Sequence, residues 1–393
     1  MPKSTTRPKG TAPTSAATTL EPRRALGLRL RSLLLQADPA VPVPASVSDV
    51  VTWFGAMQAQ DHGSGLWSLG VRLDGWTVDD VQSALERREA LRTWPMRGTV
   101  HLVPARDAHW MLDLMGAKPL AGAARRREFL GLDERTADRA VEVLGSALAG
   151  GGRLTRAQCL ETLADAGING AGNYGYHLLW YASQRGVTCI APHVDGEQTF
   201  ALLDEWVPDP VRLDRDEALA TIAERFVRSH GPVPLSDLTG WTGLGVRECR
   251  RGLELAGDAV TEVELDGRPA FVATTLLDAA PDDAAPGPGH LALPGFDEYL
   301  LGYKDRSLML SPADANAVVP GGNGMFRATW VRDGRVAGTW TKGSSRTRLV
   351  IDAQPLTRTT RRDRAGLESA LATYAAFLGR DLEVRWPEPT PRR

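Results

Sequence analysis

The sequence predicts an α+β protein: three tandem winged-helix (helix-turn-helix) units followed by a C-terminal β-rich, small barrel-like region. Three observations lead there. A pattern of helix, helix, helix and hairpin recurs three times between residues 23 and 274. Each round ends on a tight-turn signal between β-forming runs: Pro95-Met96-Arg97-Gly98, then Asp195-Gly196, then Asp266-Gly267. Beyond residue 290 the pattern shortens to several brief strands around a single helix.

Each element has its own signal. Leu26, Leu28, Leu30, Leu33 and Leu34 stand among arginines over 23–36, which suits an amphipathic helix. Ser46 can cap a helix from residue 47 to about 59. Residues 66–73 fit a helix or a strand. Thr77 caps a helix over 78–88, and 91–103 folds into the first hairpin. The second round places helices at 133–148, 155–166 and 174–184, then strands at 188–191 and 199–203. The third places a helix at 214–229, a short one capped by Ser236 and ending near Trp241, and one at 244–255, with strands at 260–265 and 270–274. Asp333-Gly334 then joins strands 326–331 and 335–340. A strand at 347–351, a helix at 365–377 and a strand at 382–386 finish the chain. The expected division is a disordered tail over 1–22, units over 23–116, 117–207 and 208–278, a linker over 279–289, a β-rich domain over 290–386 and a loose end over 387–393.

With 393 residues, 42% hydrophobic and 24% charged, the chain can build several cores. The stretch 1–21 is Thr/Pro/Ala/Lys-rich, without the apolar core of a signal peptide. No apolar run approaches the ~18–20 residues of a spanning helix, so no membrane partner is expected. Cys159, Cys189 and Cys249 lie far apart, with no Cys-x-x-Cys and no His-Glu-x-x-His. This gives no reason to expect a metal or cofactor, and fits buried thiols in a reducing cytosol. Gly-x-Ser-x-Gly is absent, and Pro320-Gly321-Gly322-Asn323-Gly324 lacks the lysine of a phosphate loop.

The formal net charge of -2 hides a local asymmetry. Residues 254–283 hold eight acids and one arginine, whereas 327–364 hold ten basic residues and three acids. Arg327, Arg332, Arg335, Lys342 and Arg346 belong to that basic run, and Arg97 stands in the first hairpin turn. Arginine's planar fork matches two phosphate oxygens, so these six residues are the expected DNA contacts, with solvated surface pairing as the alternative.

The chemistry centres on Met57-Gln58-Ala59-Gln60-Asp61-His62-Gly63. A carboxamide is no acid or base at neutral pH, but it donates and accepts at once and can hold a water or a sugar. Gln58 and Gln60 are therefore a candidate pair for holding a water or a sugar. Asp61 adjoins them. Trp67 either stacks on a base or packs in the core, and His101 either lines the site or is structural. Asp297, Glu298 and Tyr299 with Asp305 and Arg306 form the densest polar cluster, able to supply acid, base or a buried ion network, with structural pairing of Asp305 to an arginine as the alternative.

Four stretches in order carry a resemblance. They are Gln58-Ala59-Gln60-Asp61, the run from Arg92-Thr93-Trp94-Pro95-Met96-Arg97-Gly98 to Val103, the run from Leu293-Pro294-Gly295-Phe296-Asp297-Glu298-Tyr299 to Ser307, and Asp333-Gly334-Arg335-Val336-Ala337-Gly338-Thr339-Trp340. Together they resemble the bacterial winged-helix family of AlkZ-like DNA glycosylases, relatives of YcaQ. The resemblance implies three winged helices and a β-rich part around a concave DNA surface, and removal of alkylated bases, in some members from interstrand crosslinks. It also implies a catalytic Gln-x-Gln in the crosslink-acting branch, against Gln-x-Asp in the broader one; Gln58 and Gln60 match the former. The expected function is hydrolysis of the N-glycosidic bond of cationic N7- or N3-alkylated purines in damaged double-stranded DNA. The expected actor is a cytoplasmic, nucleoid-associated monomer. The rival readings are a non-catalytic winged-helix regulator and a resistance protein that sequesters a drug or damaged DNA.

Overall fold

The computed structural model describes residues 18–280, 285–287, 289–345 and 347–388. The strands, in chain order, are β1 (Thr19–Leu20), β2 (Met57–Gln58), β3 (Ala90–Met96), β4 (Thr99–Pro104), β5 (Arg153–Thr155), β6 (Thr188–Val194), β7 (Glu197–Leu202), β8 (Val260–Leu265), β9 (Arg268–Ala273), β10 (His290–Leu293), β11 (Ala328–Arg332), β12 (Arg335–Lys342), β13 (Arg348–Pro355) and β14 (Asp381–Arg385). They form three sheets, ordered β1-β8-β9, β2-β4-β3-β6-β7-β5 and β10-β11-β12-β13-β14.

The turn chemistry behaves as the sequence suggests. Arg97-Gly98, Asp195-Gly196, Asp266-Gly267 and Asp333-Gly334 all hold both residues at positive φ, between 50° and 82°. That conformation follows the twist of the flanking strands, and all four link antiparallel neighbours. The helices preceding the hairpins start on side-chain caps where the sequence supplies them. Thr77, Thr155 and Asp214 each close a capping box. Pro234, not Ser236, occupies the cap of helix Leu235–Thr242.

The hairpins of the first two rounds join edge to edge through Arg92 opposite Ile190, making one six-stranded sheet. Helices Ala108–Met115 and Ala117–Leu130, which are not among the elements expected from the sequence, bridge the two rounds. Residues around helices Glu134–Leu148 and Asn173–Gln184 keep their own apolar core. The first round, the third round and the C-terminal sheet share a second, larger one.

The N-terminal tail expected over 1–22 needs correction at its end. Thr19 and Leu20 pair in parallel with Glu264 and Leu265, and helix Pro22–Ser32 begins at once. Leu20 is buried, which repays ordering those residues. The rest of that tail, residues 1–17, lies outside the described residues, as do 389–393 and 281–284 and 288 of the linker. The described linker residues dock on the first helix region: Arg31 donates to the Ala285 carbonyl and Gly287 N to Gln36 Oε1. The C-terminal sheet curls without closing, leaving β10 and β14 at its edges. Helix Arg361–Phe377 packs across it, with Gly366 so close to the His290 ring that a Cβ there would clash at 2.0 Å.

Candidate active site

Helix Val47–Phe54 is capped by Ser46, which accepts from Asp49 N. It stops at Gly55, whose φ of +80° an L side chain rarely adopts. The helix expected to run to 59 therefore ends five residues sooner, with Gln58 on the extended backbone of β2 and Gln60 at the bend that follows it. In β2, Met57 faces Leu102 and Gln58 faces His101, and Ala59 N donates to the Val100 carbonyl at 2.9 Å. Side chains alternate along a strand. Met57 and Ala59 turn into the core, while Gln58 and Gln60 share the opposite side with His101.

The two amides are held differently. Gln60 is exposed, and its Oε1 accepts from Val100 N at 3.1 Å, which turns its NH₂ group outward. Gln58 is anchored by its backbone: its N–H donates to Glu298 Oε1 at 2.9 Å. Its side-chain amide has no hydrogen-bond partner among the described residues, yet is not sealed from solvent. It is free to accept from a water and donate to a sugar oxygen at once.

Behind this pair lies a buried polar network. Glu298 is 1% exposed. Besides Gln58 N it accepts from Trp241 Nε1 at 3.1 Å and His230 Nε2 at 3.3 Å. Burial pushes its carboxyl up, but His230, the Gln58 N–H and the Arg97 charge together hold it below the ordinary value. His101 is fully buried; it accepts from Arg97 Nη2 at 3.1 Å and donates Nδ1–H to the Thr99 carbonyl at 2.8 Å. Burial first, then Arg97, lowers its pKa to about 3 against the opposing pull of Glu298. A histidine neutral at that depth fixes the strand opposite Gln58 and relays no proton at neutral pH.

The other expected site residues divide. Asp61 caps helix His62–Gly70, accepting from Ser64 N at 2.7 Å. Trp67 is core: its Nε1 donates to the Ala292 carbonyl, and its ring meets Tyr374 and Phe377. Asp297 forms a bidentate pair with Arg72, at 2.8 and 2.9 Å. Tyr299 is buried with its hydroxyl on the Gly334 carbonyl, and burial raises its pKa far above the usual range. Asp305 is exposed and holds Ser307 N, apart from the glutamines. Of the expected DNA contacts, Arg97 stands beside His101. Lys342 Nζ lies 3.8 Å from where a Cβ on Gly63 would be, so it borders the glutamine loop. Arg332 pairs with Asp363 at 3.0 Å, Arg335 donates to the Leu308 carbonyl and Arg327 to that of Ala317. Arg346 lies outside the described residues. Of the residues in this network, His230 and Trp241 are those that sequence reasoning passed over. Glu298 stood in the quoted Asp297-Glu298-Tyr299 cluster, where an acid on an otherwise apolar run was the available signal. His230 and Trp241 carried none.

A second histidine pair flanks the loop. His62 and His193 meet edge to face with ring centroids 3.8 Å apart, and Arg92 Nη2 lies 3.4 Å from His193 Nε2. Burial and then Arg92 lower their pKa values to about 3 and about 4. Together with His101 this fixes a stability trend. Below pH ~6.5 the unfolded chain protonates these histidines while the folded protein does not, so it binds fewer protons and stability falls as pH drops towards 3. Melting temperature should decline through that window, and the His101 ring signals should show no protonation above pH 5. A His101 titration midpoint near 6.5 would contradict the network.

The sequence profile described as DNA glycosylase AlkZ-like matches residues 51–377. An interstrand DNA cross-link repair glycosylase of Streptomyces sahachiroi is 29% identical over 316 residues, which is 75% of this chain and 82% of the relative. The solved structure of Streptomyces sahachiroi DNA glycosylase AlkZ superposes with a TM-score of 0.76 at 26% identity, covering 94% of this chain and all of that one. Among the described residues no helix is long and apolar enough to cross a membrane. The match spans the glutamine strand, the shared sheet and most of the C-terminal region, and the chain belongs to the AlkZ-like DNA glycosylase family.

Proposed function

We propose that this protein is a monofunctional glycosylase for cationic N7- or N3-alkylated purines in duplex DNA. We further propose that it unhooks interstrand crosslinks built on such adducts, the repair for which its Streptomyces relative is named. It acts as a monomer on DNA in the cytoplasm, associated with the nucleoid. The observation that carries the reading is the free Gln58 amide beside the outward NH₂ of Gln60, on a strand with no mobile base or acid.

The chemistry asks for little more. In an N7-alkylated purine the ring already carries positive charge. When the C1′–N9 bond breaks, its electron pair returns to the base, which leaves neutral without general-acid help. The positive charge passes to an oxocarbenium-like deoxyribose. Water adds at C1′ and loses its proton to solvent, since an amide cannot take it. What remains is positioning of water and sugar and stabilisation of the cation. Gln58 does the first, accepting from water and donating to the sugar. Lys342 and Arg97, exposed beside the pair, hold backbone phosphates. A large crosslink does not pass into a closed pocket, and a pair whose second amide, Gln60, stands exposed at the bend after β2 suits a lesion that stays in the duplex.

The test is product formation on a duplex oligonucleotide bearing a single N7-methylguanine. The expected result is free N7-methylguanine and one alkali-labile abasic site per duplex, in the lesion strand, accumulating over many turnovers. Tight binding without an abasic product would instead favour a regulator or a sequestering protein.

A further inference from the structure

We infer that Glu298 is a positioning residue for this reaction: it fixes the Gln58 backbone and sets a permanent negative charge behind the strand that carries the glutamine pair. The inference rests on the glycosylase reading above. A Gln-x-Gln pair is uncharged, and the adjoining Asp61 carboxylate is engaged in capping helix His62–Gly70, so the pair itself does not answer the positive charge that develops on the sugar. The protein nevertheless buries a carboxylate directly behind it. Glu298 receives three donors from three separate parts of the chain: Gln58 N from β2, His230 at the end of helix Arg215–His230 and Trp241 in helix Leu235–Thr242.

The local backbone is bent to make this possible. Phe296 is held at φ +62°, an outlier for a bulky L residue. Such strain persists where the surroundings over-determine it, and it clusters at functional sites. Immediately after it, Asp297 turns to Arg72 and Glu298 to Gln58. A buried charge is a costly thing to keep for packing alone, because an apolar side chain of similar volume serves a core as well or better. In a low-dielectric surround, a fixed carboxylate stabilises a nearby developing cation without reorganisation in the transition state. The groups that face Glu298 among the described residues are His230, Trp241, Arg97, the neutral His101 and the Tyr303 hydroxyl; none is another carboxylate.

The test compares full-length wild type with Glu298→Gln, which keeps an oxygen for the Gln58 N–H but removes the charge. Leu371→Val, a core change in the C-terminal helix, serves as the stability control. Single-turnover release of N7-methylguanine is measured with duplex affinity and melting temperature. Glu298→Gln should slow the chemical step ~10- to 100-fold while Kd for the duplex stays within about twofold. Leu371→Val should lower the melting temperature with no change in that step. Because Glu298→Gln leaves a donor facing Trp241 or Gln58, Glu298→Asp is measured beside it. Glu298→Asp retains the charge, and its rate should lie between wild type and Glu298→Gln. A wild-type rate in Glu298→Gln, or a loss equal in Glu298→Asp and Glu298→Gln, overturns the electrostatic role while leaving the glycosylase reading intact. An inactive wild type, with no abasic product, overturns that reading and the role of Glu298 with it.

Discussion

Replacing Gln58 by alanine lowers kcat/KM for release of N7-methylguanine by ~10²- to 10³-fold, the scale of losing one preorganised polar partner at a reacting centre. Gln60→Ala costs less, ~10- to 100-fold, and the structure gives the reason for the asymmetry. The Gln58 amide is uncommitted among the described residues, so its whole hydrogen-bonding capacity is available to water and sugar. Half of the Gln60 amide is already used, its Oε1 holding Val100 N, so only the NH₂ group faces outward. Both variants should fold as wild type, because Gln60 is exposed and the Gln58 amide, though buried, makes no hydrogen bond within the described residues that its loss would break. A third substitution sharpens the argument. Gln60→Asp brings a carboxylate to the reacting face, where it would add to the charge already set behind it by Glu298. It should extend activity towards neutral, less labile adducts such as 1,N6-ethenoadenine while still releasing N7-methylguanine. Rates on both substrates decide this. Equal rates for wild type and Gln58→Ala would remove the pair from the chemistry, and a wholly inactive Gln60→Asp would end the idea that an amide and a carboxylate are interchangeable there.

The sequence reached the pair itself and missed what lies behind it. Turn chemistry is local, so Asp195-Gly196, Asp266-Gly267 and Asp333-Gly334 announced their hairpins, and Thr77, Thr155 and Asp214 announced their helices. The length of helix Val47–Phe54 was misjudged because apolar periodicity continues through Ala56 and Met57. Gly55 ends the helix, and Met57 is buried from strand β2 instead. Trp67 shows the same limit. Seven residues from Gln60 it reads as a base-stacking candidate, yet the helix capped by Asp61 carries it into the shared core against Tyr374 and Phe377. Glu298, His230 and Trp241 come together across 68 residues of chain or fewer but reach Gln58 across 240. Local patterns cannot report such a contact. The same holds for Arg332, whose guanidinium looked free for phosphate until Asp363 met it across the sheet.

The largest loss of stability should follow from breaking the Arg72–Asp297 pair. Both side chains are sealed, at 0% and 3% exposure. Arg72 uses its remaining donors on the carbonyls of Leu33 and Ser68, and its guanidinium lies 4.9 Å from the Phe54 ring centroid. Asp297 also accepts from Ser68 Oγ and Tyr299 N. Nothing is left unpaired, which is the condition under which a buried ion pair is tolerated. Removing either partner strands the other's charge in the core, so Arg72→Ala and Asp297→Ala should each cost ~3–5 kcal/mol. Replacing both, as Arg72→Met with Asp297→Leu, removes the uncompensated charge and should recover much of that loss, giving strong non-additivity in a double-mutant cycle. Denaturant unfolding of the four proteins measures it, and single variants within 1 kcal/mol of wild type would contradict the burial described. Function should separate from stability in the double variant. Asp297 is the residue that turns the chain from Phe296 to Glu298, and its carboxylate, through Tyr299 N, starts the short helix on which Glu298 stands. A hydrophobic pair can refill the volume but cannot accept that N–H. The recovered fold should therefore hold Gln58 less rigidly and release base more slowly than wild type, with duplex affinity retained.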